Sequence, residues 1–356
     1  MPVGEKLSRR AFAGLAAAAI ALPAVAQAAP ARGARAGKRP LIKPPRLRHG
    51  DLVGLVAPGG HTSDAGIEKA VRNIEALGFR VRLGANLRAQ NGNYAGSVRQ
   101  RVDDLHAMFA DREVRAIWCI RGGSGCISIL GALDYQLIRA NPTILLGYSD
   151  ITALHLAIQR HAGLVTFHGP HAGSTRSAYS TMHLLAVLGD PRAGYTIPMS
   201  PENSLRASAE PHFALRTVHE GMASGPLIGG NVSMVSALAG TPYAIDYRGA
   251  LLFLEEVNEP PYKMDRHLTQ LDLAQGFSKA AAMIFGICEN CGPADAEPSL
   301  TLEQTLDIHL GPLAIPAVTG YSFGHIRNQF TLPLGVRASL DTGRQTITLL
   351  EGAVVA

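Results

Sequence analysis

The sequence contains little cysteine. Its 356 residues include only four, which are Cys119, Cys126, Cys288 and Cys291, and four are too few for a disulfide framework. A zinc site is not expected, because Cys288 and Cys291 form a lone CxxC pair and the other two cysteines are poorly spaced to complete it. We therefore expect buried thiols or one local disulfide, and neither a metal nor another cofactor.

Long apolar runs are also scarce beyond the first 28 residues, so no membrane span is expected in the mature chain. The leader contains a twin-arginine pattern, an apolar run and a small-x-small cleavage site, at Ser8-Arg9-Arg10-Ala11-Phe12, Ala11 to about Val25, and Ala26-Gln27-Ala28. This order predicts an export signal over residues 1–28. The alternative is a membrane anchor, for which the run is short and rich in alanine. The signal predicts a periplasmic protein, or a cytoplasmic one if it does not function.

Positive charge is concentrated at one end of the chain. The formal net charge is +5, but residues 29–49 alone hold seven Lys or Arg and no acid, and residues 1–28 add two net positive charges. Residues 50–356 are therefore net acidic. We expect residues 29–46 to form a basic, flexible linker, and the body offers no compositional reason to bind nucleic acid.

Short apolar strands alternate with helices over residues 47–190. The pattern predicts strands at 52–57, 79–83, 116–120 and 143–146 and helices at 65–77, 97–110, 127–133 and 151–161. Such alternation is typical of an α/β domain with a doubly wound parallel sheet. Ligands of these sheets bind beyond the carboxyl ends of the strands, where Pro58-Gly59-Gly60, Gly122-Gly123 and Ser149 should lie.

The second half of the chain has a different character. Residues 191–225 are rich in Pro, Gly and Ser and lack a long periodic segment, so we expect a crossover linker there. Residues 226–356 predict a smaller, mixed, β-rich domain, with helices at 232–239 and 261–275 and strands at 250–254 and near 281–287, 314–318, 331–337 and 346–350.

The most informative motif is the turn around Ser149. The apolar run Ile144 to Leu146 stops at Gly147, Ser149 follows, and a helical pattern begins at once. This predicts a strand-turn-helix elbow that holds the hydroxyl above the sheet, beside free backbone N–H groups. A serine after a strand, taken alone, is more often a helix N-cap than a nucleophile, and Asp150 is most simply a carboxylate that stabilises the start of the elbow helix.

A serine nucleophile needs a base and, usually, a carboxylate that orients it. His325 is the candidate base, because it lies in a glycine-containing loop after a predicted strand. The candidate acids are Glu255 and Glu256, which end an apolar strand. Successive strand residues face opposite sides, so only one can point inward, and the neighbours do not indicate which.

Several separated motifs together resemble the LD-carboxypeptidase family of serine peptidases, which includes muramoyltetrapeptide carboxypeptidases and the related microcin-immunity peptidases. The resemblance spans roughly residues 47–352 and depends on Arg121-Gly122-Gly123, Gly147-Tyr148-Ser149-Asp150-Ile151-Thr152-Ala153-Leu154, Thr166-Phe167-His168-Gly169-Pro170, Gly229-Gly230-Asn231, Leu252-Phe253-Leu254-Glu255-Glu256-Val257, Pro261-Tyr262, Phe323-Gly324-His325 and Thr331-Leu332-Pro333-Leu334-Gly335. Ile151 stands where an ordinary hydrolase elbow has its second glycine, which argues against a lipase or esterase.

The resemblance implies a function and a set of roles. Ser149 would be the nucleophile, Glu255 the acid and His325 the base, with the backbone N–H groups of Asp150 and Gly123 as the oxyanion hole. It also implies a Rossmann-like domain followed by a barrel-like one, a site between them, a homodimer, and removal of D-alanine from murein tetrapeptides.

Substrate-binding candidates lie around the same turns. Arg121 could hold a terminal carboxylate, and Gly122 and Asn231 accompany it. The chain departs from the family pattern at Pro58-Gly59-Gly60-His61, where Ser-Ser-Pro is common, and at Ser124, where an aromatic residue is common.

Some residues and functions have competing interpretations. His168 is expected to be a structural or near-site residue rather than the base, and Glu256 and Glu259 are expected to be surface or salt-bridge groups rather than the triad acid. A microcin-immunity-type peptidase acting on peptide amides or acyl-adenylates is one alternative function, and a non-catalytic periplasmic binding protein is another. The sequence does not choose between lysine- and diaminopimelate-type peptides.

Overall fold

The computed structural model describes residues 40–293 and 298–356, so the predicted signal and most of the predicted linker lie outside the described residues. Within those ranges the chain forms fourteen strands: β1 (Leu52–Val56), β2 (Arg80–Leu83), β3 (Val114–Cys119), β4 (Ile144–Gly147), β5 (Thr166–His168), β6 (Thr196–Ile197), β7 (Arg216–His219), β8 (Met222–Asn231), β9 (Leu251–Glu255), β10 (Ala282–Gly286), β11 (Ala317–Tyr321), β12 (Leu332–Leu334), β13 (Arg337–Asp341) and β14 (Thr346–Leu349).

The same ranges contain ten α-helices: α1 (Asp64–Glu75), α2 (Val98–Ala110), α3 (Cys126–Ile129), α4 (Tyr135–Ala140), α5 (Thr152–Ala162), α6 (Ala178–Gly189), α7 (Pro201–Arg206), α8 (Val232–Leu238), α9 (Pro261–Gln275) and α10 (Leu302–Leu310). Local sequence explains where several of these helices begin or end. A capping box between Ser97 and Gln100 starts α2, and Gly163 ends α5 in the left-handed conformation, with φ of 70°.

The first sheet has six strands in the order β12-β5-β4-β3-β1-β2. The five strands from the first half of the chain are parallel, and β12 pairs antiparallel with β5. All residues of β1 and β4 are buried, as expected for a parallel sheet covered on both faces. The predicted doubly wound sheet is confirmed, with one strand added from the C-terminal part of the chain.

The second sheet has eight strands in the order β6-β14-β13-β8-β9-β10-β11-β7 and curls into a half-barrel. Its centre, β8 to β11, is parallel, whereas β13, β14, β6 and β7 are antiparallel to their neighbours. This confirms the predicted mixed, β-rich, barrel-like character. Segment 191–225, predicted as a crossover, contributes β6 and β7 to this sheet and also contains α7.

Helix α5 links the two sheets. It follows the Ser149 turn, is buried along most of its length, and packs against β5 of the first sheet and against β8 and α8 of the second half of the chain. The hydrophobic core is continuous between the sheets. The described end of the predicted linker joins the body, since the Ile42 N–H donates to Gly163 O at 2.8 Å. No helix in the described ranges has the length and apolar character needed to cross a bilayer.

Candidate active site

Ser149 lies at the tip of a strained turn. Strand β4 ends at Gly147, and a short 3-10 helix, Ser149–Ile151, leads directly into α5. Ser149 is partly exposed and has φ of 62°, a conformation that costs about 1–3 kcal/mol in a residue with a side chain. A backbone strained at this position is the hallmark of a nucleophile elbow, which turns the hydroxyl away from the sheet.

The glycine turn after β3 packs directly on this elbow. A Cβ atom on Gly122 would lie 3.0 Å from Ser149 Cβ, 3.2 Å from Ser149 Oγ and 3.3 Å from the Asp150 nitrogen. Gly122 therefore leaves open the space in which the Ser149 hydroxyl and the Asp150 N–H meet. Gly123, with φ of 98°, would clash with Gly60 if it carried a side chain. The oxyanion hole from Asp150 and Gly123 N–H groups stays a prediction.

The Asp150 carboxylate joins the elbow to the start of α3, the helix that follows the glycine turn. It is 3% exposed, and Oδ2 accepts a hydrogen bond of 3.0 Å from the N–H of Cys126, the first residue of α3. Burial raises the pKa of Asp150, although the Cys126 hydrogen bonds and Arg101 oppose that rise. The carboxylate thus stabilises the N-terminus of α3, and Asp150 also lies, as expected, in the first turn of the short helix that leads into α5.

Glu255 and His325 form an ion pair across two segments of the second sheet. Glu255 ends β9, and its side chain is fully buried. His325 follows β11, and its Nδ1 donates to Glu255 Oε2 at 2.7 Å. Burial alone would lower the pKa of His325, but the charge and hydrogen bond of Glu255, aided by Glu256 and Glu289, raise it above the ordinary value.

The opposite effect acts on Glu255. Burial alone would raise the pKa of its carboxyl group, but the charge and hydrogen bond of His325, with smaller effects from His168 and Asn231, lower it. The two groups therefore stabilise each other's charged forms. This is how a carboxylate orients an imidazole for general base catalysis and stabilises the imidazolium that forms.

One ring contact brings His325 to the elbow. Its ring lies 4.7 Å, between centroids, from the ring of Tyr148, the residue before Ser149. Gly324 lets the His325 loop pack closely on the acid, because a Cβ atom there would lie 2.7 Å from Ile287 O and 3.2 Å from Glu255 Cβ. The structure thus places Ser149, Glu255 and His325 in one region between the two sheets.

Glu256 points to the other side of β9, as strand geometry requires. Its Oε1 accepts from Asn231 Nδ2 at 2.7 Å, and its Oε2 accepts from the Ser233 N–H at 2.8 Å. Burial, and secondarily Glu255, raise its pKa. The expectation of a surface group is wrong for Glu256, which is 3% exposed, whereas Glu259 forms the expected salt bridge, with Lys263 at 3.3 Å.

The substrate-binding candidates fall into different environments. Arg121 is exposed on the glycine turn, where its Nη1 donates to His61 O at 3.1 Å. Asn231 is buried, caps α8 through Oδ1, and its N–H donates to Thr152 Oγ1 at 3.0 Å. Asn231 thus joins β8 to the elbow helix, which is a structural task whether or not it also contacts substrate.

Sequence reasoning missed the aromatic and imidazole rings beneath the elbow. His171 stacks on Tyr148, with centroids 4.2 Å apart, and its Nε2 lies 3.0 Å from the Tyr148 carbonyl oxygen. Burial lowers the pKa of His171 well below its usual range, which favours the neutral form of the ring. The available signal was the two histidines in the short segment from His168 to His171.

The cysteines and acidic groups of the described ranges do not form a metal centre. All four thiols are free and buried, and burial raises the pKa of Cys119 and Cys126. Among the described residues, no group of three or more His, Cys, Asp or Glu is arranged to hold a metal ion.

Known proteins are similar to this chain over most of its length. The model of the LD-carboxypeptidase N-terminal domain matches residues 53–169, and that of the LD-carboxypeptidase C-terminal domain matches residues 224–340. The probable murein peptide carboxypeptidase of Bacillus subtilis is 38% identical over 316 residues, which cover 87% of this chain and 95% of that protein. The murein tetrapeptide carboxypeptidase of Pseudomonas aeruginosa is 32% identical over 298 residues, with coverages of 82% and 94%.

Solved structures share this fold over most of the chain. An MccF-like protein from Bacillus anthracis superposes with a TM-score of 0.76 at 30% identity, covering 87% of this chain and 99% of that one. A muramoyltetrapeptide carboxypeptidase from Oxalobacter formigenes has a TM-score of 0.73 at 27% identity, with coverages of 86% and 100%. The chain therefore belongs to the LD-carboxypeptidase family of serine peptidases.

Proposed function

We propose that this protein removes the C-terminal D-alanine from murein tetrapeptides by way of an acyl-enzyme on Ser149. The observation that carries the proposal is the strained Ser149 elbow beside the Glu255–His325 ion pair. The curated relatives described above are named as carboxypeptidases of murein peptides, which supplies the substrate class.

The reaction follows the acyl-transfer template. His325 takes the Ser149 proton as Oγ attacks the carbonyl carbon of the scissile amide. The C–N bond then breaks, and His325 gives that proton to the leaving amine of D-alanine. Water, deprotonated by His325, attacks the ester and releases the shortened peptide, and the proton returns to Ser149.

Backbone donors would stabilise the charge that develops on the carbonyl oxygen. The N–H groups of Asp150 and Gly123 are the proposed donors, and the close packing of Gly122 on Ser149 supports a shared pocket there. A single donor of this kind contributes on the order of 10²–10³ in rate. Arg121, exposed on the same turn, is the proposed partner of the terminal carboxylate, which its guanidinium fork suits.

A second candidate is a microcin-immunity-type peptidase, which would act on peptide amides or acyl-adenylates. The similarity to the MccF-like structure from Bacillus anthracis, at 30% identity, supports this second candidate. Both candidates use the same nucleophile, so they differ only in what occupies the space in front of Ser149. The departures from the family pattern, at Pro58-Gly59-Gly60-His61 and at Ser124, are expected on the substrate edge of the sheet and would bear on this choice.

The test is incubation of the protein with a muramoyl tetrapeptide, with mass spectrometry scoring the loss of one D-alanine. A peptidyl-adenylate analogue is the competing substrate, and Ser149→Ala is the control. We expect loss of D-alanine that continues in the presence of a chelator. Cleavage of only the adenylate analogue would favour the second candidate, and loss that stops with chelator would contradict a metal-free serine mechanism.

We also propose that the enzyme is exported through the twin-arginine route and acts as a periplasmic homodimer. The leader motif supports export, and the family resemblance supports the dimer. Detection of mature chain that begins near residue 29 in the periplasmic fraction checks export. Analytical ultracentrifugation of the purified protein checks the dimer, and a monomer at micromolar concentration would contradict it.

A further inference from the structure

His168 occupies a central position beneath the proposed catalytic residues. It ends β5, pairs with Gly147 of β4 and Leu332 of β12, and is fully buried. Its ring contacts two aromatic rings edge-on, with centroid distances of 5.9 Å to Tyr148 and 5.5 Å to Phe253. A third ring, that of Phe323, lies 6.5 Å away.

Each of those rings belongs to a segment that carries one member of the proposed triad. Tyr148 precedes the nucleophile, Phe323 lies two residues before His325, and Phe253 lies two residues before Glu255. On strand β9, residues two apart face the same side, so Glu255 and Phe253 project toward the side on which His168 packs. The ring of His168 thus lies next to an aromatic ring from each of the three segments that carry the proposed triad.

The polar atoms of this cluster are unusual for a protein interior. Neither ring nitrogen of His168 has a hydrogen-bond partner among the described residues, and the same is true of Glu255 Oε1, the oxygen that His325 does not use. Burial lowers the pKa of His168 to about 4, against the opposing effect of Glu255. The imidazole is therefore neutral near pH 7 and has one N–H to donate.

We propose that His168 is a positioning residue, whose neutral imidazole directs its N–H dipole toward Glu255 Oε1 and so stabilises the carboxylate that orients His325. The inference rests on the proposed function, since it assumes that Glu255 and His325 act as a catalytic pair. A packing residue alone would not need polar atoms in this place, because an unpartnered buried polar group costs free energy that Phe or Leu would not incur.

Other titratable groups surround this cluster and must be kept constant. They come from α5, from the loops after β4, β5 and β10, and from the end of β9, and they are His155, Tyr148, His171, Glu289 and Glu256. Substitution of His168 alone leaves all of them in place. A changed pH profile then reports on the link between His168 and the pair.

The test compares His168→Phe, which keeps a ring but has no N–H, with His168→Gln, which keeps a donor. The measurement is the pH dependence of kcat/KM on a muramoyl tetrapeptide, with thermal unfolding as the control for folding. The N–H dipole stabilises the state in which Glu255 is charged and His325 is neutral more than the state in which His325 is also protonated, because only the first has a net negative charge. Loss of the donor should therefore raise the pKa of His325. The acid limb should therefore move to higher pH in His168→Phe, by about one pH unit.

His168→Gln should keep the acid limb within about 0.3 pH units of the parent enzyme. An acid limb that stays in place in His168→Phe, whatever the change in kcat, would overturn the inference, as would equal shifts in both variants. His168→Leu, which does not depend on the fit of a ring, replaces His168→Phe if the latter does not fold, with the same expected shift. Retained activity in Ser149→Ala would instead overturn the proposed function itself.

Discussion

A single methyl group on Gly122 should disable the enzyme while leaving it folded. The φ angle of Gly122 lies outside the left-handed region, so alanine is compatible with its backbone. The new Cβ atom would lie 3.0 Å from Ser149 Cβ, 3.2 Å from Ser149 Oγ and 3.3 Å from the Asp150 nitrogen. Since these contacts are all tight, either the elbow or the glycine turn must move by a few tenths of an ångström.

The expected loss is large because the displaced atoms are the reacting ones. A misplacement of this kind, or the loss of one oxyanion donor, costs on the order of 10²-fold in rate. Overpacking should lower the free energy of unfolding by about 1–3 kcal/mol. The assay is kcat/KM for release of D-alanine, with thermal unfolding measured on the same preparation.

Gly131→Ala is the matched control. A Cβ atom there meets only the Tyr243 hydroxyl, at an ordinary 3.8 Å, so activity and stability should stay close to those of the parent protein. If Gly122→Ala retained kcat/KM within about threefold of the parent enzyme, the space beside Ser149 would not be part of the reaction.

Three further results are expected. Glu255→Gln should lower kcat by about 10⁴ and move the acid limb of the pH profile downward, because Glu255 holds the pKa of His325 high; an unmoved limb would argue against the ion pair. Glu256→Ala should lower the free energy of unfolding, measured by urea titration, by roughly 1–3 kcal/mol for each donor left unpaired, Asn231 among them. An unchanged unfolding midpoint would contradict this. His168 should contribute to a fall in the free energy of unfolding as pH drops from 6.5 toward 4, because the unfolded chain takes up a proton that buried His168, with a pKa of about 4, does not. The contribution of His168 should reach roughly 3 kcal/mol at pH 4, so the fall measured by urea unfolding should be smaller by about that amount in His168→Gln.

The features that sequence predicted well depend on local information. The elbow combines an apolar strand, Gly147 and an immediate helix, all within a few residues. The strand predicted at 250–254 is observed at Leu251–Glu255, and the helix predicted at 261–275 is observed at Pro261–Gln275. In each case hydrophobic period and turn chemistry agree, which is the condition for a reliable prediction.

The features that sequence missed depend on distant partners or weak patterns. Strand β12 joins β5, more than 160 residues earlier in the chain, by pairing Leu332 with His168, and no local signal marks this. Helix α6 has apolar residues on more than one side, with Met182 56% exposed, so its period is weak. Helix α10 did carry a usable signal, the capping box of Thr301 and Gln304.

The choice between the two neighbouring glutamates shows the same limit. Parity places Glu255 and Glu256 on opposite sides of β9, but both sides are buried, so burial alone does not distinguish them. What distinguishes them is the partner on each side, His325 at 2.7 Å from one and Asn231 at 2.7 Å from the other. Those partners come from other segments, and only the folded chain brings them together.

Turnover of the murein tetrapeptide by Ser149→Ala decides whether Ser149 is the nucleophile. We expect a folded variant that has lost on the order of 10⁴-fold or more of kcat. A folded Ser149→Ala enzyme that releases D-alanine within tenfold of the parent rate would contradict it.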